Sequence, residues 1–335
     1  MYSYISFGSF TVAPVRLIIR LWRDTELASQ VRRLDLSWTG FDSGEYPFDG
    51  FFEDDEALGF IETALDEIFT PEERDMRDMC DDDEGLCPEA WMGLLLVRMT
   101  HLQTLGFGHD TSHLISDILR KAAKREQPFN QETPFPHLEE VRGYVECEPS
   151  WISSDFLQPF FYFPAVRRIH GAGIGDFENE GSKASYVRQP SCPVQEISVD
   201  KDYWCRGMLD WLAACRRLEH INIGVEMHPD EYDIAWELKF NASRFCRALL
   251  PFNPTLRSLC IRYGDSYEDY MRERDANDDV FGSFKEFSVL HHLTVRHAHL
   301  IGLPFHHLDM KWDRDRQSLV EILPNSLKSL YRLVT

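Results

Sequence analysis

The 335-residue chain has eight cysteines but no Cys-x-x-Cys pair, so a zinc ribbon or a thioredoxin-like redox motif has no support. No apolar run approaches the roughly 18 residues that a membrane span needs. The Gly-x-Ser-x-Gly elbow, the Walker loop and the His-Glu-x-x-His zinc helix are also missing from the sequence. We therefore expect a protein that is not an enzyme and has no cofactor, no metal and no membrane partner.

Positive charge is scarce, because 35 Lys and Arg stand against 56 Asp and Glu and give a formal net charge of −21. Nucleic acids and anionic membranes are polyanions, so we expect neither as a partner. The first 15 residues are interrupted by Ser, Gly and Thr and followed by Arg16 and Arg20, unlike a secretory signal. Cys260 lies within an apolar phrase, which suits a small thiol in a reducing compartment. We expect an intracellular protein, cytoplasmic or nuclear.

One short phrase recurs along the chain: an apolar anchor, two variable residues, an apolar residue, one variable residue and a last apolar residue. Clear copies begin at Val31, Leu102, Val194, Leu218, Leu256 and Leu290. Weaker copies, with Gly or Arg in the last slot, begin at Leu138, Val166 and Leu327. The final apolar pair alternates at period two, which predicts a strand with one buried face.

Segments with helical spacing separate the phrases, as in Met208 to Leu212 and Phe245 to Leu250. Prolines such as Pro254 and Pro324 often follow them, and proline cannot continue a helix. One strand and one helix cannot bury both of their faces, so neighbouring units must stack. The sequence therefore predicts an α/β solenoid with a curved parallel sheet on the concave face and helices on the convex face. We expect residues 1–335 to form a single irregular repeat domain.

These phrases resemble the irregular leucine-rich repeats of fungal F-box-like proteins. Residues 16–36 look like that family's lead-in helix and first repeat strand, and residues 318–330 look like its closing repeats. The phrases Phe135 to Val141 and Phe163 to Ile169 fit between them. The resemblance implies a leucine-rich-repeat fold and a protein-binding role, as in the substrate-recognition part of an F-box-type ubiquitin ligase.

Members of that family usually carry an F-box helical module before the repeats, which docks a Skp-type adaptor of a cullin ubiquitin ligase. The first repeat strand here begins near Val31, which leaves no room for the module in this sequence. The resemblance therefore implies a Skp-type adaptor as partner only if an F-box lies upstream. The chain is then either a fragment or a protein that has lost the module.

The variable positions two, four and six after each anchor face outward in a repeat of this kind. Across the nine phrases they hold five arginines and four acids, so this face is nearly neutral on an acidic body. Arg, Tyr and Asn are also the side chains that favour protein contacts. The predicted protein-binding residues are Arg142, Tyr144, Arg168, His170, Asp200, His220, Asn222, Arg262, His292 and Arg296.

An acidic stretch over about residues 42–85 interrupts the repeat spacing, with acidic runs at residues 53–56 and 81–84. It lacks the alternating ligands and central glycine of an EF-hand loop, so we expect a solvated insertion instead of a calcium site. One amphipathic segment, Leu58 to Phe69, lies within it.

Two further patterns suggest ligands but lack a necessary residue. The run Gly171-Ala-Gly173-Ile-Gly175 follows a predicted strand, yet Asp176 replaces the third glycine of a dinucleotide loop, so we expect a turn. His297 and His299 would share a face if their strand continued, but no third metal ligand is identifiable.

Two alternatives to a protein-binding scaffold remain. An enzyme on a closed (β/α)8 barrel would also have repeated strand–helix units with polar residues after the strands, such as Asp110, Asp200 and Asp265. Barrel strands usually read as near-continuous apolar runs, which favours the solenoid. A structural scaffold that oligomerises through the open edge of its last strand is the second alternative.

Overall fold

In the computed structural model, the chain comprises two compact units. Unit 1 contains residues 1–152 and 162–166, and unit 2 contains residues 153–161 and 167–335. The residues that the structure describes are 3–6, 12–36, 55–71, 73, 88–108, 113–144, 152–175, 192–202, 206–226, 240–265, 267, 280–301 and 318–333.

In the described residues of unit 1, the sheet has four parallel strands with helices between them. In chain order the elements are β1 (Tyr4–Ser6), α1 (Val12–Arg23), α2 (Thr25–Ala28), β2 (Arg33–Leu36), α3 (Asp55–Ile68), α4 (Pro88–Arg98), β3 (Thr104–Gly108), α5 (His113–Lys124) and β4 (Glu140–Tyr144). The spatial order of the strands is the sequence order, β1-β2-β3-β4.

Unit 2 repeats the pattern with six parallel strands in sequence order, β6 to β11. The short strand β5 (Ile152–Ser153) lies where the chain passes from unit 1 to unit 2. The later elements are α6 (Ser154–Leu157), a 3-10 helix (Gln158–Tyr162), β6 (Arg168–Gly175), β7 (Glu196–Asp202), α7 (Arg206–Ala214), β8 (His220–Val225), α8 (Ala242–Leu249), a 3-10 helix (Leu250–Phe252), β9 (Ser258–Tyr263), β10 (His292–Arg296), α9 (His297–Ile301), α10 (Leu319–Ile322) and β11 (Ser329–Leu333).

The strands begin two residues after the anchor in all nine phrases, as in Leu218 and β8 or Leu256 and β9. The second apolar residue of each phrase occupies the same register on neighbouring strands. This ladder is Leu34, Leu105 and Val141 in unit 1, and Ile169, Ile197, Ile221, Leu259, Leu293 and Leu330 in unit 2. All of these side chains except Leu330 are at most 2% exposed. The predicted α/β solenoid is confirmed in its repeat and its parallel strands.

The closed-barrel alternative is wrong, because the strand order has ends. Within the described part of the chain, β1 pairs only with β2, and β11 pairs only with β10. A closed (β/α)8 ring has no end strand.

The long gap between the anchors Val31 and Leu102 contains helices and no additional strand in its described residues. β2 pairs directly with β3, with Leu34 opposite Leu105. The predicted amphipathic segment is confirmed as α3, whose Ile61, Ala64 and Ile68 side chains are buried. The acidic run 81–84 lies outside the described residues.

One local prediction is wrong. The glycine run 171–175 forms part of β6 and not a turn, although Gly173 has a φ of +68° that suits glycine. The condition for a histidine pair on one strand face is not met, because β10 ends at Arg296 and α9 begins at His297. His299 is instead buried, with its Nδ1 2.7 Å from the hydroxyl of Tyr263. The described residues contain no group of His, Cys, Asp and Glu that could hold a metal ion.

Side chains cap the N-termini of two helices that lie between strands. α10 begins with a capping box, in which the Ser318 and Glu321 side chains each accept a hydrogen bond from a backbone N–H at the helix start. The Asn241 side chain accepts a hydrogen bond from the Arg244 N–H at 2.6 Å and caps α8. Among the described residues, no helix has the length and apolar character needed to cross a bilayer.

Candidate functional site

The predicted binding residues lie on strands whose alternate side chains point away from the buried ladder. We call this the exposed sheet face of each unit: positions two, four and six after each anchor. The predicted binding residues that are exposed on this face are Tyr144, Arg168, Asp200, His220, Arg262 and His292, and those that are half-buried on it are Arg142, His170 and Asn222. Arg142 and Tyr144 belong to unit 1, and the others belong to unit 2.

Arg296, at position six after Leu290, is not exposed on this face, which corrects the expectation from its spacing. Its side chain is 4% exposed, and α9 begins at the next residue and packs against β10. A strand's alternation predicts exposure only as far as the strand remains uncovered, and Arg296 is the last residue of β10.

A charged group spans three strands on the exposed sheet face of unit 1. Asp35 on β2, Gly106 on β3 and Arg142 on β4 share one register. A Cβ at position 106 would lie 2.9 Å from Asp35 Oδ1, so glycine leaves the space that this carboxylate occupies. Arg142 Nε donates to Glu140 Oε1 at 2.6 Å. This hydrogen bond, followed by the negative charges of Glu140 and Asp35, raises the pKa of the Arg142 guanidinium.

Unit 2 has the same combination of residue types on three neighbouring strands. Arg262 on β9 is paired in register with Gly224 on β8, and its Nη2 lies 3.5 Å from Asp200 Oδ1 on β7. A Cβ at position 224 would lie 2.9 Å from the same Asp200 oxygen. In both units a glycine therefore separates an aspartate and an arginine, and its missing side chain allows charges on alternate strands to interact.

Neutral hydrogen bonds link further strands on the exposed sheet face of unit 2. Asn222 Nδ2 donates to Ser198 Oγ at 3.1 Å, and His292 Nδ1 lies 2.7 Å from Ser329 Oγ. These cross-strand pairs hold polar side chains in defined orientations on a backbone fixed by the buried ladder.

The prediction from positions two, four and six missed basic residues just before the N-terminal ends of the strands in unit 2. Arg257, His291 and Lys328 each follow an anchor by one residue. Arg217 precedes the anchor Leu218 and is exposed. The sequence carries a signal for them, since position one of the last three phrases is basic or histidine, but a rule based on positions two, four and six omits that position.

Titration of His291 reports the electrostatic field at these strand ends. Partial desolvation lowers the pKa of His291, and the nearby Lys328, His292 and Arg257 lower it further. We expect the pKa of His291 to lie below that of an ordinary histidine. We expect Lys328→Ala to raise the pKa of His291, because removing a positive charge stabilises the imidazolium. Histidine NMR chemical shifts followed against pH measure both values.

Lys285→Ala is the matched control for this titration. Lys285 is also exposed and lies in unit 2, but its Nζ contacts the Val320 carbonyl at 3.3 Å and it does not contribute to the His291 shift. If Lys328→Ala leaves the pKa of His291 unchanged, or if the pKa of His291 in the wild type has the ordinary histidine value, the neighbouring positive charges do not act on His291 as proposed.

Two of the described cysteines are poor nucleophiles at neutral pH. Cys192, Cys215, Cys246 and Cys260 are free. Burial raises the pKa of the Cys246 thiol to about 11. The contact with Cys192, at a sulfur–sulfur distance of 4.0 Å, and burial raise the pKa of Cys215 well above its usual range. Since the thiolate is the nucleophile, Cys215 and Cys246 stay unreactive at neutral pH.

Comparison with known proteins agrees with this architecture. The family model described as a leucine-rich repeat domain matches residues 12–333, which is nearly the whole chain. Comparisons with curated proteins and with solved structures find no match. The chain belongs to the leucine-rich-repeat domain family.

Proposed function

We propose that this chain is a non-enzymatic scaffold that binds a protein partner through the exposed sheet face. Leucine-rich-repeat domains are generally protein-interaction scaffolds. The observation that carries the proposal is that each strand has buried apolar side chains on one face and exposed or half-buried polar side chains on the other. On β8, for example, Ile221 and Ile223 are buried while His220 is exposed and Asn222 is half-buried.

A rigid polar face suits recognition of a folded protein surface. The buried ladder fixes the strand backbones, so charged and polar groups are held in place before a partner binds, which reduces the ordering cost of association. The ion pair between Arg262 and Asp200 and the hydrogen bond between Asn222 and Ser198 reduce side-chain freedom further. A face that carries both charges and amide groups favours specificity over nonspecific attraction.

Site-specific photo-crosslinking tests this proposal. A photoreactive amino acid is introduced at Asn222 on the exposed sheet face, and the full chain is incubated with extract from its cells of origin. We expect a discrete crosslinked protein identified by mass spectrometry. The control carries the same amino acid at Arg247, an exposed position on the helix α8. Crosslinking from Arg247 alone, or from neither position, contradicts the use of the sheet face.

We propose, as a second and more specific role, that the chain recognises substrates of an F-box-type ubiquitin ligase in a fungal cell, in the cytoplasm or nucleus. The support is the resemblance of residues 16–36 and 318–330 to fungal F-box-like repeats and the occurrence of cysteines in apolar phrases, which suits a reducing compartment. Co-purification of a Skp-type adaptor with the product of the complete gene tests this role. A product that carries no F-box and no adaptor contradicts it.

A further inference from the structure

A cluster of basic residues lies at the N-terminal ends of the last strands of unit 2. We define the basic corner as Arg217, Arg257, His291, His292 and Lys328. The backbone holds its members on neighbouring strands: the His291 N–H donates to the Arg257 carbonyl at 2.8 Å, and the Lys328 N–H donates to the His291 carbonyl at 2.9 Å. Adjacent strands lie about 4.8 Å apart, so these side chains form one compact patch.

Most of the positive charge of the basic corner faces solvent. The side chains of Arg217 and Arg257 are 60% and 53% exposed. Glu219, whose side chain is 15% exposed, lies between them, 2.9 Å from Arg217 Nη2 and 3.2 Å from Arg257 Nε. Lys328 is exposed and has no ion pair within the described part of the chain. Among the described residues, one carboxylate therefore faces three permanent cations, and these residues carry an excess of positive charge.

An exposed aromatic ring lies next to the basic corner. Tyr331 on β11 is 64% exposed and occupies the register position beside Thr294 on β10. The preceding outward position on the same two strands holds His292 and Ser329, which is in contact with His292. Tyrosine supplies a large contact area at low conformational cost. Charge and an apolar surface are thus combined in one place.

We propose that the basic corner binds an acidic segment of a protein partner, with carboxylates at Arg257 and Lys328 and an apolar side chain against Tyr331. This inference rests on the proposed protein-binding function and names the chemistry of the partner. Arginine's planar donors match a carboxylate, and lysine adds a point charge at the neighbouring strand. Glu219 holds the two arginines in place and leaves their remaining N–H groups to the ligand.

A short acidic peptide fits the basic corner better than a nucleic acid. The chain as a whole carries a formal charge of −21, so a long polyanion that extends beyond the corner is repelled. Stable nucleic-acid binding commonly uses about 6–10 phosphate contacts, which is more than three permanent cations provide. A segment with a few Asp or Glu residues needs only the corner itself.

Fluorescence anisotropy with a defined probe tests the proposal on the full chain. The probe is a fluorescein-labelled peptide of glutamates with one central phenylalanine, and the comparison peptide has glutamine in place of every glutamate. We expect the glutamate peptide to bind at least about tenfold more tightly than the glutamine peptide. We also expect its affinity to fall as salt is added, because exposed charges are screened.

Charge reversal in the basic corner supplies the variant. Arg257→Glu combined with Lys328→Glu is expected to weaken binding of the glutamate peptide by at least about tenfold. Arg16→Glu combined with Arg20→Glu changes the net charge equally on the exposed side of α1 in unit 1, and we expect it to weaken binding less than about twofold. Circular dichroism verifies folding, and Arg257→Gln with Lys328→Gln replaces the reversal pair if that pair does not fold.

Three results would overturn the proposal. They are equal binding of the two peptides, equal loss in the corner variant and the α1 variant, and tighter binding of a single-stranded oligonucleotide than of the glutamate peptide. The broader proposed function has a separate outcome. If the peptide does not bind but the Asn222 crosslinker still captures a partner, the acidic-segment proposal fails and the protein-binding function stands.

Discussion

Replacing Trp211 with alanine is expected to lower the free energy of unfolding of unit 2 by about 3–5 kcal/mol. Trp211 on α7 is 1% exposed, and its ring stacks on Phe161 with centroids 5.4 Å apart. Its Nε1 donates to the Ser154 carbonyl at 3.2 Å. Alanine removes the stacked ring, leaves a cavity and takes the donor from that carbonyl. Urea denaturation followed by circular dichroism measures the loss.

Two further variants separate the causes of this effect. Trp211→Phe keeps an aromatic ring but removes the hydrogen bond, and we expect a smaller cost of about 1–3 kcal/mol. Asp210→Ala changes the exposed neighbour on the same helix, and we expect a change within about 0.5 kcal/mol. A stability of Trp211→Ala within about 1 kcal/mol of the wild type would show that the ring does not hold α7 in place.

The strand positions could be predicted from the sequence because burial imposes the same spacing on every unit. An anchor such as Leu256 is followed by one residue outside the strand and then by alternation along it, and β9 begins at Ser258 as this pattern requires. The weak phrases with Gly143 or Gly171 in their last slot also became strands. Glycine in that slot loses a packed side chain but does not change the alternation.

β1 could not be predicted in the same way. Residues Tyr4–Ser6 alternate, with Ile5 buried between two exposed residues, but no anchor precedes them and three residues are too few for a local signal. Its stability comes from pairing with β2, where Ile5 lies opposite Leu34. This long-range contact depends on tertiary structure and leaves no periodicity of its own in the sequence.

The sequence predicts which residues lie on the exposed sheet face, but it does not predict which of these side chains contact one another across strands. Counting positions from each anchor placed residues such as Asn222 and Arg262 on the correct side of their strands. The approach of Asp35 toward Arg142 over Gly106 depends on which strands are neighbours. The 71-residue gap before the second anchor concealed that β2 and β3 are adjacent, so the shared role of the two glycines emerged only from the register.

The burial of Arg296 has a related cause. The alternation rule assumes that a strand remains uncovered to its end. The spacing of His297 and His299 would also fit a strand that continued past Arg296. Five residues of helix follow β10 instead. A five-residue helix gives too few turns for a clear period, so the sequence does not show that a helix begins directly after Arg296.

Leu259→Ala is expected to lower the free energy of unfolding by about 2–5 kcal/mol, because Leu259 lies in the middle of the buried ladder of unit 2. Its side chain is fully buried, and its register partners are Ile221 on β8 and Leu293 on β10. A repeat unit is stabilised mainly by its neighbours, so the cavity weakens the contacts on both sides at once. Urea denaturation measures the total loss, and hydrogen exchange should show reduced protection in both β8 and β10.

The matched control is the adjacent residue on the opposite side of the strand. Cys260→Ala alters a half-buried position on the exposed sheet face, and we expect a change in unfolding free energy within about 0.5 kcal/mol. Leu259→Met conserves volume and should cost less than about 1.5 kcal/mol. The shared-core argument requires Leu259→Ala to affect both neighbouring strands. Loss of protection in β9 alone, with β8 and β10 unchanged, would mean that each strand is stabilised by its own helix and that the ladder does not couple the repeats.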